Sequence, residues 1–333
     1  MAVTSPMYSY ADQTRHYFAR PHEGVLEDPP VVPAAWRGDE LSARDDWRAR
    51  LDAGAIAELE AALAVAEATG KPTESLTAED FPLPSLDAEI GRWREALSQG
   101  RGLQLVSGLP VERYTQEQVE RLYWGLGLHL GVPGAQNVVG DLLGHVTDTG
   151  EDATDPFVRL YRTSADIAYH CDAADVVGLL CLRPARKGGA SRIVSSVAVY
   201  RELWARRPDL APLLYQPFEL DVRSEGDAAG LQWIPIPPCR AAEGQLRTFY
   251  HSDYFRSVTR HADVPPFSSE RRELMDLYES IANEPGMYFD MELAAGDIQW
   301  LSNHTVLHAR TAYEDDPDPG KRRHLLRLWL SLA

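Results

Sequence analysis

Tyr169-His-Cys-Asp172 stands at the head of a short apolar run, Val176-Val-Gly-Leu-Leu-Cys-Leu182, and these two stretches decide how the chain is read. The run is bounded and short, so it reads as a buried strand. In an extended chain, side chains at i and i+2 point the same way, about 6–7 Å apart at Cα. His170 and Asp172 can therefore grip one ion while Cys171 turns away. A second histidine answers far downstream, in Asn303-His-Thr-Val-Leu-His308-Ala-Arg310. Two imidazoles and one carboxylate form the set that holds Fe(II) on one face and leaves the opposite positions open for substrate and O₂. The interval between His170 and His308 is too long for a hairpin, so the fold must bring a separate strand alongside.

The surroundings of His308 support a strand. Gly296-Asp297 is a turn dipeptide opening Ile298-Gln-Trp-Leu301. After a charged Pro/Gly loop, Glu314 to Gly320, comes Arg323-His-Leu-Leu-Arg-Leu-Trp-Leu330. Strand alternation puts Arg323, Leu325, Arg327 and Trp329 on one face, and His324, Leu326, Leu328 and Leu330 on the other. Two guanidiniums on a face of an otherwise apolar strand are costly to bury without anions. They point to a pocket that receives carboxylates.

His170-Cys-Asp172, Lys187-Gly-Gly-Ala-Ser191, Gly296-Asp297, Asn303 to Arg310, and Arg323-His-Leu-Leu-Arg327 occur in an order that resembles the taurine dioxygenase (TauD/TfdA-like) family. Those proteins are Fe(II)/2-oxoglutarate-dependent dioxygenases. The resemblance covers roughly residues 100–333. It implies an α+β fold with a double-stranded β-helix (jelly-roll) core and flanking helices. It further implies that Fe(II), 2-oxoglutarate and O₂ are bound and a small organic molecule is oxidised. By the same resemblance His170, Asp172 and His308 are the iron ligands, and Arg323 and Ser191 bind the distal carboxylate of 2-oxoglutarate. Arg327 is then the second arginine, directed at the substrate or at the inner carboxylate. Cys171 stands where a small hydroxyl residue is more usual. His304 is a rival ligand, but in the family's pattern the ligand directly precedes a small residue and an arginine, as His308 does.

Composition narrows the class. The chain has 333 residues and 44% hydrophobic residues, enough for a sizeable core. No run of about 18 apolar residues occurs, so no spanning helix is expected. Met1 to Tyr10 lacks a basic segment followed by an apolar core, so no secretory signal is expected. Three cysteines form no C-x-x-C pair, which fits a reducing cytoplasm. A formal net charge of −17 disfavours nucleic acid, whose binding draws on phosphate neutralisation. Self-association is left open.

One domain, 1–333, is expected, with 1–99 an N-terminal arm and helices packed on a core spanning 100–333, and an insertion at about 215–295. Residues 1–42 read as an extended arm. Helices are expected from Asp45 to about Thr69, from Ser85 to about Ser98, from the capping box at Thr115-Gln-Glu-Gln118, and near Ser268–Asn283.

Asp172 leaves no place for a halide ligand, so hydroxylation, desaturation or ring closure is expected rather than chlorination. The substrate expected is a small organic acid or amino-acid-derived metabolite, its anion read by Arg327 and by Arg162, Tyr254 or Arg256. A second class also stays open: zinc accepts the same two histidines and carboxylate, and a non-catalytic binder could use them too.

Overall fold

The computed structural model describes residues 9–22, 24–155, 157–223 and 231–332. Two sheets carry the site. The larger has seven strands, running Arg48–Arg50, Leu103–Ser107, Ile298–Ser302, Val176–Arg183, His324–Ser331 and Val132–Pro133, with Leu143–Val146 also paired to His324–Ser331. The smaller has four antiparallel strands in the order Tyr288–Met291, Ser191–Ser195, Val306–Arg310 and Ile167–His170.

Alternation along the last strand sorts its side chains as the sequence suggested. Leu326, Leu328 and Leu330 are buried beneath Leu59, Leu63, Trp93, Leu97, Leu122 and Leu126 of the helices Ala53–Ala68, Asp87–Ser98 and Gln116–Leu130. Each such leucine contributes roughly 1.5–3 kcal/mol by leaving water. The opposite face, with Arg323, Leu325 and Arg327, looks into a cavity shared with the smaller sheet. Helices Ser196–Arg206 and Ser269–Ala282 pack together on the core that backs the smaller sheet.

Local signals account for most helix ends. Thr115 accepts from the Gln118 backbone N–H, and the Gln118 side chain accepts from that of Thr115, which closes the capping box at the start of Gln116–Leu130. Three expectations need correction. The helix expected from Asp45 starts only at Ala53, because Asp52 caps it and Arg48–Arg50 is drawn into a parallel pairing with Leu105–Ser107. The arm expected over 1–42 contains two helices, Tyr10–Phe18 and Gly38–Ser42; Ser9 caps the first. The insertion ends before 295: Tyr288–Met291 is an edge strand of the smaller sheet, held to Ser191–Val194. No described helix is long and apolar enough to cross a membrane.

Candidate active site

The metal-binding residues meet at the mouth of the smaller sheet. His308 lies directly opposite His170 in the antiparallel register, and their rings are 4.1 Å apart between centroids. The strand carrying His170 ends there, so Asp172 sits on the turn that follows rather than on the strand. Beyond His170 the chain is held instead by the Tyr250 carbonyl, which accepts from the Cys171 N–H at 2.8 Å. The turn is pinned twice more. Asn303 Oδ1 accepts from the Asp172 N–H at 2.9 Å, and Trp329 Nε1 donates to Asp172 Oδ2 at 2.9 Å. His170 Nδ1 lies 2.9 Å from the Ala168 carbonyl oxygen, which makes it the N–H and leaves Nε2 its lone pair. Among the described residues one group of His, Cys, Asp or Glu can hold a metal: His170, Asp172 and His308, with ligand atoms all within 4.8 Å.

Electrostatics prepares these groups. Burial, then the neighbouring His170, pushes His308 down to about 3, so its imidazole is neutral and can bind a cation. Burial opposes the Asp172 carboxylate, but Arg327, His308, His170 and the Trp329 N–H together hold it below its ordinary value. The donor set, two imidazoles and one carboxylate, suits Fe(II). His304, the rival ligand, is elsewhere: its Nε2 bonds Asp175 at 2.8 Å and its ring stacks on Tyr17.

A narrow cleft leads from the triad between the sheets, lined by Ser191, Arg310, Arg323, Leu325 and Arg327. Gly188 and Gly189, both at positive φ, turn the chain into the strand that carries Ser191. Any side chain at Gly189 would press on Arg323, whose Nε lies 3.2 Å from the position of its Cβ. Arg323 is buried and its Nη1 has no partner. Burial lowers it, and burial together with Arg323 pushes Arg310 down to about 10. Two crowded, desolvated guanidiniums make a cleft that an incoming dianion relieves. Arg310 was part of a recognised motif without a role. Its Nη2 donates to the Thr163 carbonyl at 2.7 Å and also reaches those of Leu160 and Ala165, tying the 160–165 turn to the cleft.

A second pocket lies on the other side of the triad. It is small and is lined by His170, Asp172, Arg159, Arg223, Tyr254 and Arg327 and also by His251 and Asp253. Arg327 thus faces both sides, held by Gln136 Oε1 at 2.6 Å from its Nε. Tyr254 stacks on His251 with centroids 3.7 Å apart, and the Arg223 guanidinium lies 4.3 Å over the Tyr254 ring. Burial, then His170 and Arg223, drives His251 well below its ordinary value.

Two residues expected near the substrate are not brought there. Arg162 points outward to Glu151 at 2.8 Å, and Arg256 is consumed by Glu279 and Asp276 at 2.9 and 2.8 Å. Arg159, three residues before Arg162, takes the inward place. Arg159, Arg223 and His251 escaped the sequence reading because they lie outside regular strands, where alternation gives no facing. Residues 224–230 of the expected insertion lie outside the described residues.

Fold and site together define a non-haem iron, 2-oxoglutarate-dependent dioxygenase, working with Fe(II), 2-oxoglutarate and O₂. The chain belongs to the taurine catabolism dioxygenase TauD, TfdA family, whose model matches residues 68–329. It is similar to "FR-33289 synthase" of Streptomyces rubellomurinus, 30% identical over 322 residues and 92% of each chain. In structure it resembles asparagine oxygenase in complex with Fe(II), 2S,3S-3-hydroxyasparagine and succinate, with a TM-score of 0.69 and 17% identity, covering 86% of this chain and 93% of that one. It also resembles the non-heme iron oxygenase OrfP in complex with Fe and alpha-ketoglutaric acid, with a TM-score of 0.61 and 14% identity, covering 86% and 94%. At these identities the structural likeness is one of fold.

Proposed function

We propose that the protein hydroxylates an aliphatic C–H of a small organic acid or amino-acid-derived metabolite, with succinate and CO₂ as co-products. The observation that carries this reading is the placement of the triad between an arginine cleft and a second pocket that carries Arg159 and Arg223. In this reading the two sheets form a double-stranded β-helix, and the chain is one dioxygenase domain acting in the cytoplasm.

When bound, Fe(II) and 2-oxoglutarate use O₂ to supply the oxidising power that takes hydrogen from carbon. The protein's residues do the rest by positioning. His170, Asp172 and His308 hold the metal, and Trp329 and Asn303 keep Asp172 from swinging. Arg323 and Ser191 hold the distal carboxylate of the co-substrate; the Ser191 hydroxyl, now donating to Gln299 Oε1 at 2.9 Å, is already oriented within the cleft. Arg327 stands between the co-substrate and the substrate. Arg159 and Arg223 read the substrate's anion, and the Tyr254–His251 stack forms the adjoining wall.

Asp172 supports hydroxylation over halogenation, since a halide would need its place. A zinc hydrolase is disfavoured because the buried Arg323 and Arg310 would have no anion to meet. The test is anaerobic addition of Fe(II) and 2-oxoglutarate, followed by visible absorption, and then aerobic succinate release with a panel of acids and amino acids. The expected result is a metal-to-ligand band and substrate-stimulated succinate. An iron-loaded protein with neither overturns the proposal.

A further inference from the structure

The pocket that holds Arg159 and Arg223 does not end at the arginines. It continues into a space of about 430 Å³ that reaches from Asp172 to the N-terminal helix Tyr10–Phe18. Arg159, His251, Tyr254 and Trp329 line it on the side of Asp172, and Thr14 and Arg15 line it on the N-terminal helix, but most of the remaining wall is apolar, with Ala11, Phe18, Leu220, Ile236 and Phe249. A volume of that size accommodates a molecule well beyond a compact free amino acid. Apolar walls recover free energy only when apolar surface is laid against them.

The wall is built in. Gln13 is fully buried, and its Nε2 donates to the Ala173 carbonyl at 2.8 Å, one residue past the metal-binding Asp172. Tyr17 donates to the Asn303 carbonyl at 3.3 Å and stacks on His304. Arg20 reaches Asp175, whose carboxylate also accepts from His304 and from the Leu332 N–H. The helix is thus fastened to the turn that carries Asp172. Trp329 joins the two ends of the cavity, since the ring that lines it also donates to Asp172. Residues 10–18 lie outside the stretch that the family model matches.

We propose that this compartment receives an apolar body on the substrate, so that the substrate is an amphiphilic acid: an anionic head at Arg159 and Arg223, and an aliphatic or aromatic portion against the N-terminal helix. This rests on the oxygenase reading above and narrows its substrate class. An acid seated this way presents to the metal the carbons between head and body.

The test uses the full chain and the straight-chain acids butanoate, hexanoate, octanoate and decanoate. Binding is followed by calorimetry on the metal-free protein and, separately, by perturbation of the visible band of the Fe(II)–2-oxoglutarate form. Affinity is expected to rise about threefold to fourfold per methylene until the cavity is filled, as roughly 0.8 kcal/mol per buried CH₂ implies. Ala11→Trp, at an exposed position on the wall, is expected to weaken octanoate and decanoate at least tenfold while leaving butanoate within twofold. Affinity that is flat with chain length overturns the proposal, and so does an Ala11→Trp variant that weakens all four acids equally. Absence of the visible band would instead count against the oxygenase reading, because the calorimetric series is independent of it.

Discussion

The two sides of the metal are built differently. The cleft proposed for the co-substrate is made by regular strands: Ser191 on Ser191–Ser195, Arg310 on Val306–Arg310, and Arg327 on His324–Ser331 with Arg323 just before it. The side proposed for the substrate is made by segments that join the core strands or precede them: Arg159 before a single 3₁₀ turn, Arg223 two residues past Phe218–Asp221, Tyr254 on the short helix Ser252–Ser257, and the N-terminal helix. Strands hold side chains at fixed spacing and share their hydrogen bonds with neighbours, so the arginine cleft sits where geometry is stiffest. Loops on a rigid scaffold can change without unfolding it, which suits the side that chooses the substrate. Arg327 belongs to both, and its clamp by Gln136 keeps the boundary between them fixed.

The largest expected effect tests the axis that the two sides share. Asp172→Ala or His308→Ala should abolish turnover and release iron, because each removes a metal bond. Metal content after gel filtration and succinate release measure both; a variant that keeps iron and activity would remove that residue from the centre.

Next comes the contrast itself. Arg323→Ala should raise the KM for 2-oxoglutarate about 10- to 150-fold, from the roughly 1.5–3 kcal/mol of a charge-assisted bond. Arg159→Ala should raise the substrate KM about tenfold by the same reasoning, leaving 2-oxoglutarate within about twofold. If both variants shift both constants alike, the division between the sides fails.

Acidification should weaken the metal-free protein. His308 is held down to about 3 chiefly by burial, and His324 to about 4 by burial with His145 and Arg183 beside it. In the unfolded chain both take up protons near pH 6.5. Between there and the folded values the unfolded state binds more protons, so stability falls as pH falls. The melting temperature in chelator should drop from pH 7 to pH 5. His324→Gln should reduce the slope, and an unchanged melting temperature would contradict the buried, neutral state of both rings.

The smallest effect sharpens the hinge between the sides. Trp329→Phe keeps the ring but removes the N–H to Asp172, a loss of about 1 kcal/mol. Iron affinity should fall about fivefold with little change in the 2-oxoglutarate KM. An unaltered iron titration would show that the bonds from Cys171 to Tyr250 and from Asp172 to Asn303 hold the turn without the indole.

The last strand was legible before any coordinates because period-two alternation assigns faces without knowing the partner. Arg323, Arg327 and Trp329 therefore appeared together, and their face is the one that looks on the metal. The Thr115 capping box was legible for a similar reason, as its bonds span three residues. Where the decisive contact was distant, local pattern misled. Arg48–Arg50 carries helical spacing around it but is claimed by a parallel neighbour, and Arg162 and Arg159 look equivalent until the turn is placed.

The sequence by itself determined the reactive groups of this protein: two imidazoles, a carboxylate and paired arginines, in an order that resembles one family of iron oxygenases. It also determined which face of the last strand is apolar, since both depend on residue type and short-range geometry. Only the tertiary structure decided that His308 stands opposite His170, that His304 is spent on Asp175, and that the N-terminal helix walls the substrate cavity. Those outcomes depend on which distant segments pair and pack, a competition among long-range contacts that no local window of sequence contains.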